Sequence, residues 1–212
     1  MKLPTGRVAV KICGVIRECD ALAAIEAGAD VLGFNTWTGT KRYLDVEHCR
    51  WLENLPVIRV ALLVNAAPDF AERIAALPYI DALQLHGDED AAECARIAAL
   101  GKPIIKALRA QDRAVVAGAS GFSTSDVLLD AHVPGAYGGT GARVDLGLAL
   151  RFREQNPMLT VWLAGGLRPE NVAEAVRFVR PAVVDVSSGV ESQPAIKDSG
   201  MMRAFVDAVR AV

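Results

Sequence analysis

Eight short apolar runs, recurring at a pitch of about 25 residues and separated by stretches of helical spacing, constrain this fold most. The runs fall at 8–13, 29–34, 57–64, 81–85, 102–108, 126–130, 160–164 and 182–186. Their richness in Val, Ile and Leu suits parallel strands covered by helices on one face and filling a barrel on the other. Helices are predicted over 17–27, 46–55, 68–77, 89–100, 145–154, 169–179 and 201–212, with a shorter one at 112–117. Gly28 and Gly101 stand where helices would end, and Pro169 near the first turn of another. Eight β/α units predict an α/β fold, a single (β/α)8 TIM barrel, as one domain over residues 1–212. A doubly wound sheet would more often show five or six units and a Gly-x-Gly-x-x-Gly turn after the first strand, and no such turn is present. No Pro/Gly/Ser linker, low-complexity tract or charge block marks a domain boundary.

Composition excludes several classes of function. The 212 residues are 52% hydrophobic and 23% charged, with a formal net charge of −2. The basic residues are scattered, so no footprint for nucleic acid or an anionic membrane is expected. No apolar run approaches the ~20 residues of a membrane span, and no signal peptide is read at the N-terminus. Cysteines stand at 13, 19, 49 and 94 without a Cys-x-x-Cys pair, which predicts reduced thiols in a cytoplasmic protein. Histidines at 48, 86 and 132 form no metal-binding pattern, and neither a metal nor a cofactor is expected.

The first strand carries the sharpest chemical hint. Val8-Ala9-Val10-Lys11-Ile12-Cys13-Gly14 runs into a Cys-Gly corner. Strand alternation places Lys11 and Cys13 on one face and Val10 and Ile12 on the other. A nearby cation lowers a thiol pKa, although a free cysteine is also commonly a small buried hydrophobe. In a barrel of this kind the chemistry lies at the C-terminal strand ends. The residues there are Cys13, Phe34 with Arg42 in the next loop, Asn65, His86, Arg109, Asp130, Gly165-Gly166 and Ser187-Ser188-Gly189. Each also has a plain reading. Asp130 would serve as a cap, His86 as a donor to a loop carbonyl and Arg42 as a solvated cation or a bidentate clamp for a carboxylate. The two glycine clusters after the last two strands suit a phosphate held by backbone amides. Gly138-Gly139-Thr140-Gly141 suits a lid or part of that cup; it is not a P-loop.

Taken together, the motifs resemble a known family. Lys11-Ile12-Cys13-Gly14, Gln84-Leu85-His86-Gly87-Asp88-Glu89, Leu128-Leu129-Asp130, Gly138-Gly139-Thr140-Gly141, Leu163-Ala164-Gly165-Gly166-Leu167 and Asp185-Val186-Ser187-Ser188-Gly189-Val190-Glu191 resemble, in order, phosphoribosylanthranilate isomerase of tryptophan biosynthesis. The resemblance implies an Amadori rearrangement of N-(5-phosphoribosyl)anthranilate to 1-(2-carboxyphenylamino)-1-deoxyribulose 5-phosphate. It implies Asp130 as the acid that opens the furanose ring and Cys13, as thiolate, as the base at C2. Arg42 matches the family's carboxylate-binding arginine. His86, Gly165, Gly166, Asp185, Ser187, Ser188 and Gly189 complete the implied substrate-binding set. The partner is then a small phosphorylated substrate, taken by a monomer or homodimer. The in-facing parity of Lys11, Cys13 and Asp185 further suggests a Lys11–Asp185 pair that biases Cys13 toward thiolate. Some positions depart from the family pattern: Asn35-Thr36-Trp37 and Gly39-Thr40-Lys41 after strand two, Leu62 for Gly, Leu146 for Trp and Ala195 for Gly. They leave open a paralogue acting on another phosphorylated aminosugar, or a binding subunit.

Overall fold

The computed structural model of the protein describes residues 1–109, 119–131 and 143–212. Eight parallel strands close a barrel in chain order: β1 (Ala9–Cys13), β2 (Val31–Asn35), β3 (Ile58–Leu63), β4 (Ala82–Leu85), β5 (Ile104–Arg109), β6 (Asp126–Asp130), β7 (Thr160–Leu163) and β8 (Val183–Val186). The seam between β8 and β1 sets Lys11 opposite Asp185. Around the barrel lie α1 (Glu18–Ala27), α2 (Pro68–Ala76), α3 (Ala91–Ala98), α4 (Leu146–Gln155), α5 (Val172–Val179) and α6 (Ser199–Arg210). This is the predicted (β/α)8 barrel, and each predicted strand is found.

Local chemistry fixes the helix ends. The side chains of Asp90, Asp145 and Asp198 accept from the amides of Glu93, Leu148 and Met201, capping α3, α4 and α6. Gly28 ends α1 at φ 99°, a conformation a side chain would resist.

Strand alternation divides the core in two. Out-facing residues such as Val10, Leu32, Leu83, Leu129 and Val184 pack under the helices. In-facing Ala9, Val31, Val60, Ala82, Ile105, Leu128, Trp162 and Val183 fill the barrel. Trp162 is fully buried and its Nε1 donates to Asp126 Oδ1 at 2.9 Å, which satisfies the indole inside the apolar fill. The in-facing positions two residues further along β1, β4 and β8 are the buried polar residues Lys11, Gln84 and Asp185. A polar layer therefore lies above an apolar plug.

Two expectations need correction, and one feature is new. The predicted helix at 46–55 is only a 3-10 turn over Arg50–Asn54. Asp45 captures the Glu47 amide at 3.2 Å and the His48 ring at 2.9 Å, and such local bonds compete with helix. Pro169 precedes α5 instead of lying in its first turn. Asn171 holds the Arg168 amide at 2.8 Å and the Gly166 carbonyl at 3.0 Å, forming a turn that delays the helix to Val172. After β8, a 3-10 turn (Ser188–Val190) and an antiparallel hairpin of β9 (Glu191–Gln193) and β10 (Ile196–Lys197) precede α6 and were not predicted. The predicted helix at 112–117 and the Gly138-Gly139-Thr140-Gly141 segment lie outside the described residues. No helix among those described is long and apolar enough to cross a membrane.

Candidate active site

The polar layer is built around β1. Lys11 Nζ lies 3.0 Å from Asp185 Oδ2, so the pair expected from strand parity is formed. Gly33 on the neighbouring β2 makes room for it. A Cβ there would lie 2.9 Å from Cys13 Sγ and 3.0 Å from Lys11 Nζ. Phe34, by contrast, faces outward and packs edge-on against Trp51, because Gly33 takes the inward position.

Burial and charge compete at this cluster. Burial pushes the Cys13 thiol above its ordinary range, and Lys11 and Lys197 offset this only in part. Lys11 therefore biases the thiol toward thiolate, as strand parity suggests, but burial outweighs it. Burial would lower Lys11, yet Asp185 and the Cys13 sulfur keep it above the usual lysine range. Burial raises Asp185, with Lys11 opposing. Asp185 Oδ1 is buried and has no hydrogen-bond partner among the described residues.

Across the barrel mouth, Gln84, His86 and Asp130 form a chain. Gln84 Nε2 lies 2.7 Å from His86 Nδ1, and His86 Nε2 lies 3.2 Å from Asp130 Oδ2. Asp130 Oδ1 accepts from the Ala131 amide at 2.8 Å. With the Gln84 amide donating, Nε2 carries the imidazole proton and donates to the Asp130 carboxylate. Asp185 feels both sides, through Lys11 and through Asp130 and His86.

The glycine clusters are brought together. Gly165 and Gly166 hold φ of 91° and 64°, and a Cβ on Gly165 would press to 2.6 Å from the Ala131 amide. Gly189, in the turn following Ser187, backs directly onto the Leu167 carbonyl, which excludes any side chain. Backbone from both loops is thus packed close at one sector of the rim.

Arg42 joins the same rim. Its stem crosses Gly14, where a Cβ would lie 3.2 Å from both Arg42 Cβ and Ser187 Oγ; Gly14 stands at φ 71°. The guanidinium grips Glu191 through Nε at 2.7 Å and Nη2 at 2.8 Å. Lys197 Nζ binds Glu191 Oε1 at 2.8 Å and the Ser187 carbonyl at 3.1 Å. Asn65 instead serves its loop: its backbone N–H donates to Glu89 Oε1 and its side-chain Oδ1 accepts from the Asp88 backbone N–H. The Arg109 side chain lies outside the described residues.

Sequence reasoning missed Gly33, Gln84, Glu191 and Lys197 as parts of this site. Inward parity two residues before His86 was the available signal for Gln84. Glu191 and Lys197 depend on a hairpin with no strand-length apolar run.

The family model for N-(5′-phosphoribosyl)anthranilate isomerase matches residues 10–208. A protein of that name from Pseudomonas fluorescens is 47% identical over 206 residues, covering 94% of this chain and 97% of its own. A phosphoribosyl anthranilate isomerase structure from Thermotoga maritima superposes with a TM-score of 0.86 at 36% identity, covering 97% of this chain and 100% of its own. A structure of such an isomerase in complex with reduced 1-(o-carboxyphenylamino)-1-deoxyribulose 5-phosphate superposes at 0.83 with 35% identity, covering 97% and 100%.

Proposed function

The chain belongs to the N-(5′-phosphoribosyl)anthranilate isomerase family, and we propose that Cys13 and Asp130 carry its reaction as general base and general acid. The reaction is the isomerisation of phosphoribosylanthranilate in tryptophan biosynthesis. The observation that carries the assignment of roles is the layout of the polar layer. It ends on a thiol at β1 and on a carboxyl–imidazole pair at β4 and β6.

The chemistry asks for both groups. Opening the furanose ring requires a proton at the ring oxygen, and Asp130 supplies it. For Asp130 to hold that proton on Oδ2, His86 accepts at Nε2 and carries its own proton on Nδ1, and the Gln84 amide turns over so that Oε1, otherwise unpartnered among the described residues, accepts it. Ring opening leaves a cationic Schiff base, which acidifies the proton on C2. Its positive charge, with the Lys11 and Lys197 ammoniums, offsets the burial that raises the thiol. Cys13 then takes the C2 proton, giving an enolamine. Protonation of that enolamine at C1 and loss of the enol proton give the ketone. Keeping acid and base apart in separate environments is what one site needs for both tasks.

The remaining residues bind. Arg42 holds the aryl carboxylate. Asp185 Oδ1, a buried acceptor left open, takes a sugar hydroxyl. Amides around Gly165, Gly166, Ser188 and Gly189 hold the phosphate, with Ser187 at its edge. The chain acts as one catalytic domain over residues 1–212, in the cytoplasm, as a monomer or homodimer on this small phosphorylated substrate. The test generates phosphoribosylanthranilate in situ, adds the protein and follows loss of substrate fluorescence while identifying the product. Turnover to the aminoketose supports the reading, and well-folded protein that leaves the substrate untouched overturns it.

A further inference from the structure

Glu191 and Lys197 sit on the two strands of the hairpin after β8; Glu191 has no role in the chemistry above, and Lys197 acts there only through its charge on Cys13. Their geometry is unusually complete. Glu191 Oε1 accepts from Arg42 Nε at 2.7 Å and Lys197 Nζ at 2.8 Å, while Oε2 accepts from Arg42 Nη2 at 2.8 Å. Lys197 directs its other protons to the Ser187 carbonyl at 3.1 Å and hydroxyl at 3.4 Å. The Lys197 side chain is 0% exposed and that of Glu191 4% exposed. Arg42 is the most exposed of the three, at 16%.

Burying an ion pair rarely adds stability over an apolar replacement, so this pair calls for another explanation. Two cations and one carboxylate leave the cluster with one net positive charge. The Arg42 fork is gripped along its Nε–Nη2 edge. No described residue bonds Nη1. A planar guanidinium held by one edge presents the other in a fixed direction.

We propose that Glu191, anchored by Lys197, is the positioning residue that locks Arg42 with its Nη1 edge toward the substrate's aryl carboxylate. Lys197 also ties this lock to Ser187, beside the phosphate loops. One ammonium thereby registers the two anionic ends of the substrate against each other. The inference rests on the reading that Arg42 binds the carboxylate.

The test uses two probes: reduced 1-(o-carboxyphenylamino)-1-deoxyribulose 5-phosphate and the same compound without the ring carboxylate. The readout is the ratio of their dissociation constants. Wild-type protein should favour the carboxylated probe by about 10- to 100-fold, as a charge-assisted pair would give. Arg42→Met should abolish that preference. Charge alone would make Glu191→Gln raise the ratio, since the site gains positive charge, and Lys197→Met lower it. The lock makes both variants lower it, to within about threefold of Arg42→Met, and makes Glu191→Gln without further effect in the Arg42→Met background. Glu191→Asp should recover part of the preference. No preference in the wild type, or full preference in Arg42→Met, overturns the Arg42 reading itself. Loss in Arg42→Met but an unchanged or raised ratio in Glu191→Gln overturns the lock alone. Equal weakening of both probes in Glu191→Gln also overturns it, because a merely structural role would do that.

Discussion

Lys11 Nζ lies 3.0 Å from Asp185 Oδ2, joining the first and last strands of the barrel inside its core. The same lysine lies beside Cys13 and lowers a thiol that burial otherwise raises. Lys11→Met would leave a buried carboxylate without its partner, costing about 3–5 kcal/mol. It would also move the pH profile of Cys13 alkylation upward, because the thiolate loses a stabilising cation. Alkylation rates against pH check this, and an unchanged profile contradicts it.

Gly33 controls the same cluster by having no side chain. A methyl at 2.9 Å from Cys13 Sγ must push the thiol or Lys11 aside. Gly33→Ala should lower kcat/KM by about 100-fold, as misplacement of a reacting group by ~1 Å would, with the barrel still folded. Circular dichroism beside kinetics separates the two effects.

Asp30 predicts an acid limit to stability. Burial opposes its ionisation, but bonds from Arg7, the Val10 amide and Arg210 hold its carboxyl below the usual range. A lowered pKa stabilises the fold above the unfolded value of ~3.9, and this stability is lost as pH falls through the folded value. Asp30→Asn should cost about 1–3 kcal/mol at pH 7, allowing for solvent around Arg7, and the gap to wild type should close in acid. Denaturant titrations at several pH values measure it. A gap that is constant with pH contradicts the account.

Ala195 stands at φ 70° in the turn of the β9–β10 hairpin, a left-handed backbone that glycine adopts more readily. Ala195→Gly relieves a left-handed alanine but loosens the unfolded chain, for a net gain of about 0.5–1 kcal/mol. A higher Tm is the expected result, and a lower one contradicts it.

Strand order and inward faces are legible in the sequence because buried parallel strands leave dense Val/Ile/Leu runs with fixed parity. That parity is why the Lys11–Asp185 pair can be read before any coordinates. Phe34 misleads because it closes the second apolar run at the C-terminal end of a strand, while register gives the inward place to Gly33. The stretch at 46–55 misleads because helical spacing does not register Asp45 bonding its own backbone. Glu191 and Lys197 are invisible because their meeting with Arg42 depends on a two-stranded hairpin and a distant loop. The net upward push on the Cys13 thiol is also out of reach, since the balance between burial and Lys11 is a property of the assembled core.

The most direct measurement is single-turnover consumption of phosphoribosylanthranilate by Cys13→Ser and Asp130→Asn. Removing a positioned base or acid should slow it by about 10²- to 10⁴-fold in each, while the reduced product analogue still binds. Either variant turning over at the wild-type rate would contradict the assignment of base and acid.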